Sequence, residues 1–412
     1  MDAPAQAQES LAPRLEVSCS VCGTADYRLI ASAHELEAQR EYLIRFHRRR
    51  LRPPDRPDAA HGQRPAAADA VAPDAAHEQR PAAADGVAHD TGPKQRTARD
   101  GQSAPESTAT AHDSVDDSAL EERADFTQNY ATNIVACTLC GLILRHPRPP
   151  ADAIAAAYAA DTYGEERLAA LYQSQVELFR PKAQRLQRLL GSRRDPVVLE
   201  IGSFVGGFLA AARELGWSAF GIDPGQEVVE FCAKRGLSVL REEVESCEFP
   251  AAGADCIAIW NTFDQLPNPH PILRSVRHSL RPGGILAVRV PCGPCFEHAM
   301  RWLRRAPHAL HAPVLAALAW NNLLSFPYLH GYSLATLDRL MGQYELERVG
   351  FTADVLTRLA DDQTRPWAAC EERVLKGAWR AAARAAAAIA PERAADRTPW
   401  FDAYYRMPAR AS

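Results

Sequence analysis

Val197-Val-Leu-Glu-Ile-Gly-Ser-Phe-Val-Gly-Gly-Phe-Leu-Ala-Ala211 begins and ends in apolar residues, with three glycines between the two runs. The first run, Val197–Ile201, is short and bounded by Pro196 and Gly202, which predicts a buried strand. From Phe208 the apolar residues continue to Leu215 and stop at Gly216, which predicts a helix ended by glycine. A strand that turns through glycines into a helix offers the unpaired N–H groups of the helix N-terminus to a ligand. A dinucleotide fingerprint needs glycine at 202, 204 and 207, the middle one making room for a pyrophosphate. Position 204 is Phe. The turn therefore points away from NAD or FAD, and from a dinucleotide-dependent oxidoreductase, toward a nucleoside ligand without a pyrophosphate.

Downstream the same texture repeats. Ala219–Asp223, Ser238–Leu240, Cys256–Trp260 and Ile285–Val290 bring the strand candidates to five, and Glu227–Arg235, closed by Gly236, is one of the helices between them. Such alternation predicts a parallel, doubly wound α/β sheet. The second strand ends in Gly221-Ile-Asp-Pro-Gly225, about twenty residues beyond the glycine turn, where a carboxylate can accept the protons of both ribose hydroxyls. Asp-Pro is also an ordinary turn former.

As a set, LEIGSFVGGFL (199–209), GIDP (221–224), WNTFDQLPNPHPIL (260–273) and SLRPGGILAVRVP (279–291) resemble the class I S-adenosylmethionine-dependent methyltransferases, especially the type 11 and type 23 families, over roughly Val197 to Phe351. The resemblance implies a Rossmann-like methyltransferase sheet that binds S-adenosyl-L-methionine as co-substrate. Glu200 and Gly202, Ser203, Phe204, Gly206 and Gly207 would line its methionine end. Asp223, followed by Pro224, would bind the ribose, and Asn261, Thr262 and Phe263 would face the cofactor after strand four. Around Glu242 and Glu243 lies the place where relatives hold adenine, although their Gly-Asp pair is absent. Where relatives carry Glu-His before a Leu-Pro-x-Pro turn, this chain has Asp264 and Gln265, so that histidine's role does not transfer. Arg281–Gly284 is expected to be a turn leading into strand five.

Cys19-Ser-Val-Cys22-Gly23 and Cys137-Thr-Leu-Cys140-Gly141 read as two metal knuckles, each with glycine after the second cysteine. Four thiolates satisfy a tetrahedral Zn²⁺ and leave no open position, so Cys19, Cys22, Cys137 and Cys140 predict a structural zinc site. Their separation exceeds that of an ordinary zinc ribbon, and removing the insertion between them would bring it close to normal. The continuation CGLILRHPRPP (140–150) resembles the segment that precedes the catalytic domain in zinc-ribbon methyltransferases. Cys292-Gly-Pro-Cys295 matches a thioredoxin redox sequence but lacks that fold around it, and is read as coincidence.

Pro53 to Ala119 contains no aromatic residue and an imperfect tandem repeat, AAHGQRPAAADAVAPD from Ala59 and AAHEQRPAAADGVAHD from Ala75. It cannot bury enough apolar surface to offset the ordering of its backbone. The expected organisation is a disordered N-terminus (1–16), a first knuckle and helix (17–52), a low-complexity disordered insertion (53–124), a second knuckle (125–150), a helical linker (151–190), the methyltransferase domain (191–360) and a helical tail (361–412). Within these, His34 to Arg52 predicts an amphipathic helix with a solvated basic end, and Pro181 is expected to break or restart the helical pattern of the linker.

The 47 basic and 51 acidic residues leave a net charge of -4, without the basic field that nucleic-acid binding uses. A zinc-ribbon nucleic-acid binder with a ligand-sensing α/β domain is the remaining alternative, and this balance argues against it. The N-terminus lacks a secretory signal, and the most apolar long stretch, Ala309 to Phe326, is interrupted by His311, Asn321 and Asn322, so a cytoplasmic protein without a membrane span is expected. The expected partner is a small-molecule methyl acceptor, a sugar nucleotide or secondary metabolite; the oligomeric state is not legible. Pro291 to Tyr332 is the segment available to roof the acceptor pocket, and its Trp302, Trp320, Phe326, Tyr328 and Tyr332 suit either an apolar cavity or a lid packed on itself. Asp264, His330 and Tyr332 are the candidates for a general base; turn capping and lid packing are their ordinary alternatives.

Overall fold

The computed structural model describes residues 17–51, 132–148, 151, 163–243, 250–324, 326, 328–356 and 364–409. The expected N-terminal segment 1–16 and the insertion 53–124 lie outside the described residues. Strand β1 (Tyr27–Ala31) precedes helix α1 (Ala33–Arg50), and strands β2 (Asn133–Cys137) and β3 (Ile143–His146) continue an antiparallel sheet in the order β1-β2-β3. Ser32 caps α1 reciprocally: its Oγ accepts the Glu35 N–H at 3.2 Å, and Glu35 Oε2 accepts the Ser32 N–H at 2.9 Å. The predicted apolar face is buried at Leu36, Leu43 and Phe46. The basic end does not stay wholly in solvent, because Arg50 makes paired bonds of 2.6 and 2.8 Å to Glu371 and lies 4.0 Å over the Phe46 ring.

Helix α2 (Glu165–Leu190) runs through Pro181 without the expected break. Proline removes one backbone bond, but a buried stripe of Leu168, Val176, Phe179, Ala183 and Leu186 extends on both sides of it and holds the helix straight through. Beyond α2 come β4 (Val197–Ile201), α3 (Gly207–Glu214), β5 (Ser218–Asp223), α4 (Gln226–Lys234), β6 (Ser238–Arg241), β7 (Ala254–Trp260), α5 (His270–Ser279) and β8 (Leu280–Pro291). Their strands are parallel, as predicted. All seven residues of β7 are buried, with Ile257 and Ile259 in one core and Cys256, Ala258 and Trp260 in the other. Burial on both faces is what a strand covered by helices requires.

Arg281–Gly284 is not a separate turn. Ala254 pairs with Leu280 and Cys256 with Ile285, so these four residues bulge out of β8, with Gly283 at φ +74°.

The chain continues through α6 (Gly293–Leu303), α7 (His311–Trp320), β9 (His330–Gly331), α8 (Leu334–Gly342), β10 (Glu347–Asp354), α9 (Pro366–Ile389), α10 (Pro391–Ala395) and β11 (Trp400–Arg406). The region expected as a helical tail, 361–412, thus contains a strand, Trp400–Arg406. β11 enters the main sheet between β8 and β10, antiparallel to both, giving the order β10-β11-β8-β7-β4-β5-β6. Its first six residues are buried, and Asp402 among them pairs with Arg289 at 2.7 Å and with Lys182. β9 joins the small sheet, pairing Gly331 with Ile143 and His330 with Leu144. Two residues far downstream therefore complete the sheet that carries the cysteines. Among the described residues no helix is long and apolar enough to cross a membrane.

Candidate functional site

The turn after β4 is tied to β5 by backbone bonds: the N–H groups of Gly202 and Ser203 both donate to Ile222 O at 3.0 Å. Phe204 occupies the left-handed region at φ +46°, where glycine is the easy choice, and its ring packs 5.1 Å from that of Tyr163. Its N–H donates to Asp223 Oδ2 at 2.8 Å, while Oδ1 accepts the Gly225 N–H at 2.9 Å. Asp223 therefore does hold its turn, and each oxygen keeps a lone pair for a further donor. Ser203 Oγ bonds the carbonyls of Glu200 and Ile222 at 3.2 and 3.3 Å. Pro224 O accepts from Arg241 Nε at 3.3 Å.

The glycines are demanded by the protein itself. A methyl group at Gly202 would overlap Thr262, one at Gly206 would meet Leu237, and one at Gly207 would overlap Gln175 of α2. Gly202 and Gly206 also lie at φ +73° and +72°. The close approach expected of a ligand is thus made first by neighbouring segments.

Glu200 is buried near the end of β4, and its Oε2 has no partner among the described residues. Burial, with repulsion from Asp223, pushes its carboxyl well above the usual range. After β7, Asn261 stands at φ +57° with a buried, unpartnered Oδ1. Thr262 packs on Gly202, and Phe263 is buried 5.5 Å from the Tyr332 ring. Glu243 is exposed just beyond β6, and residues 244–249 lie outside the described part, so the expected adenine side is described only to Glu243.

The three base candidates come together. Asp264 lies in a 3₁₀ turn, Phe263–Gln265, and its carbonyl accepts the Leu329 N–H at 3.2 Å. The His330 ring hydrogen-bonds the Asp264 backbone and stands 5.8 Å from the Tyr332 ring. All three residues are at most 1% exposed. Yet both Asp264 carboxyl oxygens, His330 Nδ1 and the Tyr332 hydroxyl have no partner among the described residues. Leaving such groups unpaired is costly, and a ligand that supplied the missing partners would relieve the cost, which makes the cluster a candidate site. Burial pushes the Asp264 carboxyl well above its usual range and the Tyr332 hydroxyl upward; burial, together with Arg148, pushes His330 down to about 3. A histidine so weakly basic is a poor proton acceptor, whereas a carboxylate whose affinity for a proton is raised by burial is a stronger base than an ordinary aspartate. Arg148, which acts on both His330 and Tyr332, is absent from the sequence-based candidates; its one signal was its place in the segment after the second knuckle.

Of the two readings of the aromatic segment, pocket lining and packing, Phe326, Tyr328 and Trp320 take the second. Phe326 lies 4.9 Å from Phe296, Tyr328 lies 5.2 Å from Trp400, and Trp320 lies 5.0 Å from Phe46. Trp302 is on the surface, beside a cavity of about 530 Å³ on the outer side of α6.

The sulfurs of Cys19, Cys22, Cys137 and Cys140 all lie within 4.8 Å of one another, with Cys19 3.5 Å from Cys140 and Cys22 3.4 Å from Cys137. These separations are far too long for disulfides. Burial opposes ionisation of Cys137, but the backbone N–H of Cys140 and its neighbours hold the thiol down to about 7. The cluster is fastened to the main domain by His270 Nε2 to Ser20 O at 2.7 Å and by Gln343 Nε2 to Val21 O at 2.8 Å. Cys292 and Cys295 are buried free thiols pushed up by burial, the reverse of a reactive pair.

Residues 172–349 match a family model described as a methyltransferase domain. No curated protein matches the chain. Among solved structures, an S-adenosylmethionine-dependent methyltransferase from Archaeoglobus fulgidus is 14% identical over 56% of this chain and 94% of its own, with a TM-score of 0.35. One from Mesorhizobium loti is 13% identical over 54% of this chain and 96% of its own, with a TM-score of 0.34. Phosphoethanolamine N-methyltransferase 2 from Haemonchus contortus is 13% identical over 64% of this chain and 62% of its own, with a TM-score of 0.40.

Proposed function

We propose, for a chain that is a class I S-adenosylmethionine-dependent methyltransferase, that its acceptor is a small molecule and that Asp264 takes a proton from it. The observation that carries this reading is the buried cluster of Asp264, His330 and Tyr332, whose polar atoms lack partners and which begins two residues after Thr262, the residue packed on Gly202. Groups buried this deeply suit a slender acceptor group rather than a polymer surface.

The cofactor supplies an electrophilic methyl group on a sulfonium. Glu200 fits it: a buried carboxylate without a partner suits the ammonium of a methionine moiety, and Asp223 retains lone pairs for ribose hydroxyls. Asn261 Oδ1 offers a further acceptor. Positioning of acceptor and donor can carry much of the rate, and the Asp264 carboxylate accepts the acceptor's proton where one must leave. His330, held neutral, and Tyr332 orient and hydrogen-bond the acceptor.

The four cysteines fit a structural Zn²⁺. Tetrahedral ZnS₄ with Zn–S near about 2.3 Å has sulfur–sulfur edges of roughly 3.8 Å, close to the separations here, and four thiolates leave no position for catalysis.

Native mass spectrometry of the purified protein tests the reading, with one zinc and bound S-adenosylmethionine expected. Failure to bind the cofactor in calorimetry overturns the catalytic part, and absence of zinc overturns the metal part.

A further inference from the structure

A cavity of about 880 Å³ lies at the seam between the first knuckle and the main domain. Four chain segments wall it: the knuckle from Val17 to Gly23, Arg148, the Pro267–His270 turn, and Arg339 with Gln343 at the end of α8. In a chain with more acidic than basic residues, no Asp or Glu lines this cavity. Its histidine and glutamine are already committed, His270 to Ser20 O and Tyr344, and Gln343 to Val21 O. The two arginines are not. Among the described residues, neither guanidinium has a hydrogen-bond or ion-pair partner, whereas Arg28, Arg50, Arg289 and Arg304 all do.

Two residues of the cavity wall are tied to the buried cluster. Pro267 lies three residues after Asp264, and Arg148 is near enough to Tyr332 and His330 to act on both electrostatically. Arginine presents a planar fork of donors that matches phosphate or carboxylate oxygens, and the volume suits a nucleotide-sized molecule.

We infer that this cavity holds an anionic handle of the methyl acceptor, a phosphate or carboxylate group bound between Arg148 and Arg339, while the reacting end reaches Asp264. The inference rests on the methyltransferase reading for the word acceptor; the anion site itself stands apart from it.

The test is a calorimetric titration of the full-length, zinc-loaded chain with inorganic pyrophosphate and, separately, malonate. Saturable binding of at least one is expected. Arg148→Gln and Arg339→Gln should each weaken it about tenfold or more, the scale of a charge-assisted hydrogen bond, with zinc content and S-adenosylmethionine affinity unchanged. Arg339 is exposed, so its variant folds whatever happens at Arg148. No binding of either anion, or equal binding by parent and both variants, overturns the proposal. Loss of zinc in Arg148→Gln with anion binding unaffected by Arg339→Gln also overturns it, and assigns Arg148 to neutralising the thiolates. If the anion binds but S-adenosylmethionine does not, the anion site stands and the methyltransferase reading fails.

Discussion

The Phe204 N–H donates to Asp223 Oδ2 across 2.8 Å, joining the turn after the first parallel strand to the end of the second. One carboxylate thus shapes the turn that it is expected to share with the cofactor.

Asp223→Ala should therefore do two things. Losing two bonds to a charged acceptor, each worth about 1.5–3 kcal/mol, lowers the thermal midpoint, and losing the ribose acceptor weakens S-adenosylmethionine binding at least about tenfold. Calorimetry and thermal unfolding read the two separately. Unchanged affinity in the folded variant refutes the ribose assignment.

Gly202→Ala is expected to destabilise the fold and cripple cofactor binding, since it puts a side chain at φ +73° and into Thr262. The conformation alone costs roughly 1–2 kcal/mol. Adding Thr262→Ala removes the overlapping hydroxyl and should recover part of the lost stability but not the conformational share. No recovery would show that the overlap is relieved another way.

Replacing Cys140 with serine should take the zinc content measured by metal analysis from one to none and lower the thermal midpoint, because Ser20 and Val21 of the partner knuckle anchor to His270 and Gln343. Affinity for S-adenosylmethionine should remain, since none of its expected ligands lies in the small sheet. Retained zinc in this variant would remove the cysteine from the metal site.

Asp264 and His330 should pull stability in opposite directions with pH. Asp264 holds its proton in the folded state above its ordinary value of 3.8, so the folded state binds more protons and stability falls as pH rises from about 3.8. Asp264→Asn should unfold at a higher temperature than the parent at pH 8, with the gain vanishing near pH 4. His330 is pushed from 6.5 to about 3, so the unfolded chain binds more protons and stability falls as pH drops from about 6.5 toward 3. His330→Gln should flatten that acid limb. With an acceptor in hand, Asp264→Asn should keep cofactor affinity and lose about 100-fold or more in turnover; near-normal turnover would remove it as the base.

Much of the fold was legible because it is local. Strands buried on both faces read as apolar runs, and the glycines at 216 and 236, at φ +79° and +68°, ended their helices where the pattern stopped. The paired CxxC spacing likewise announced four thiols, whose ligand geometry is a property of residue type. Tertiary structure decided the rest. β11 was hidden because its aromatic run follows a long alanine-rich helix, and only the sheet shows that it pairs with β8 more than a hundred residues away in sequence. Pro181 stays helical because packing outweighs one lost bond, which no local rule weighs. The requirement for glycine at 202, 206 and 207 comes from Thr262, Leu237 and Gln175, residues that meet the turn only in the folded chain. Arg148, in a segment that reads as the tail of a zinc knuckle, gains its place beside His330 and Tyr332 because β9 pairs with β3. Sequence determined which residues could carry chemistry, since that depends on their side chains; the burial that perturbs them depends on distant neighbours, and only the folded chain sets it.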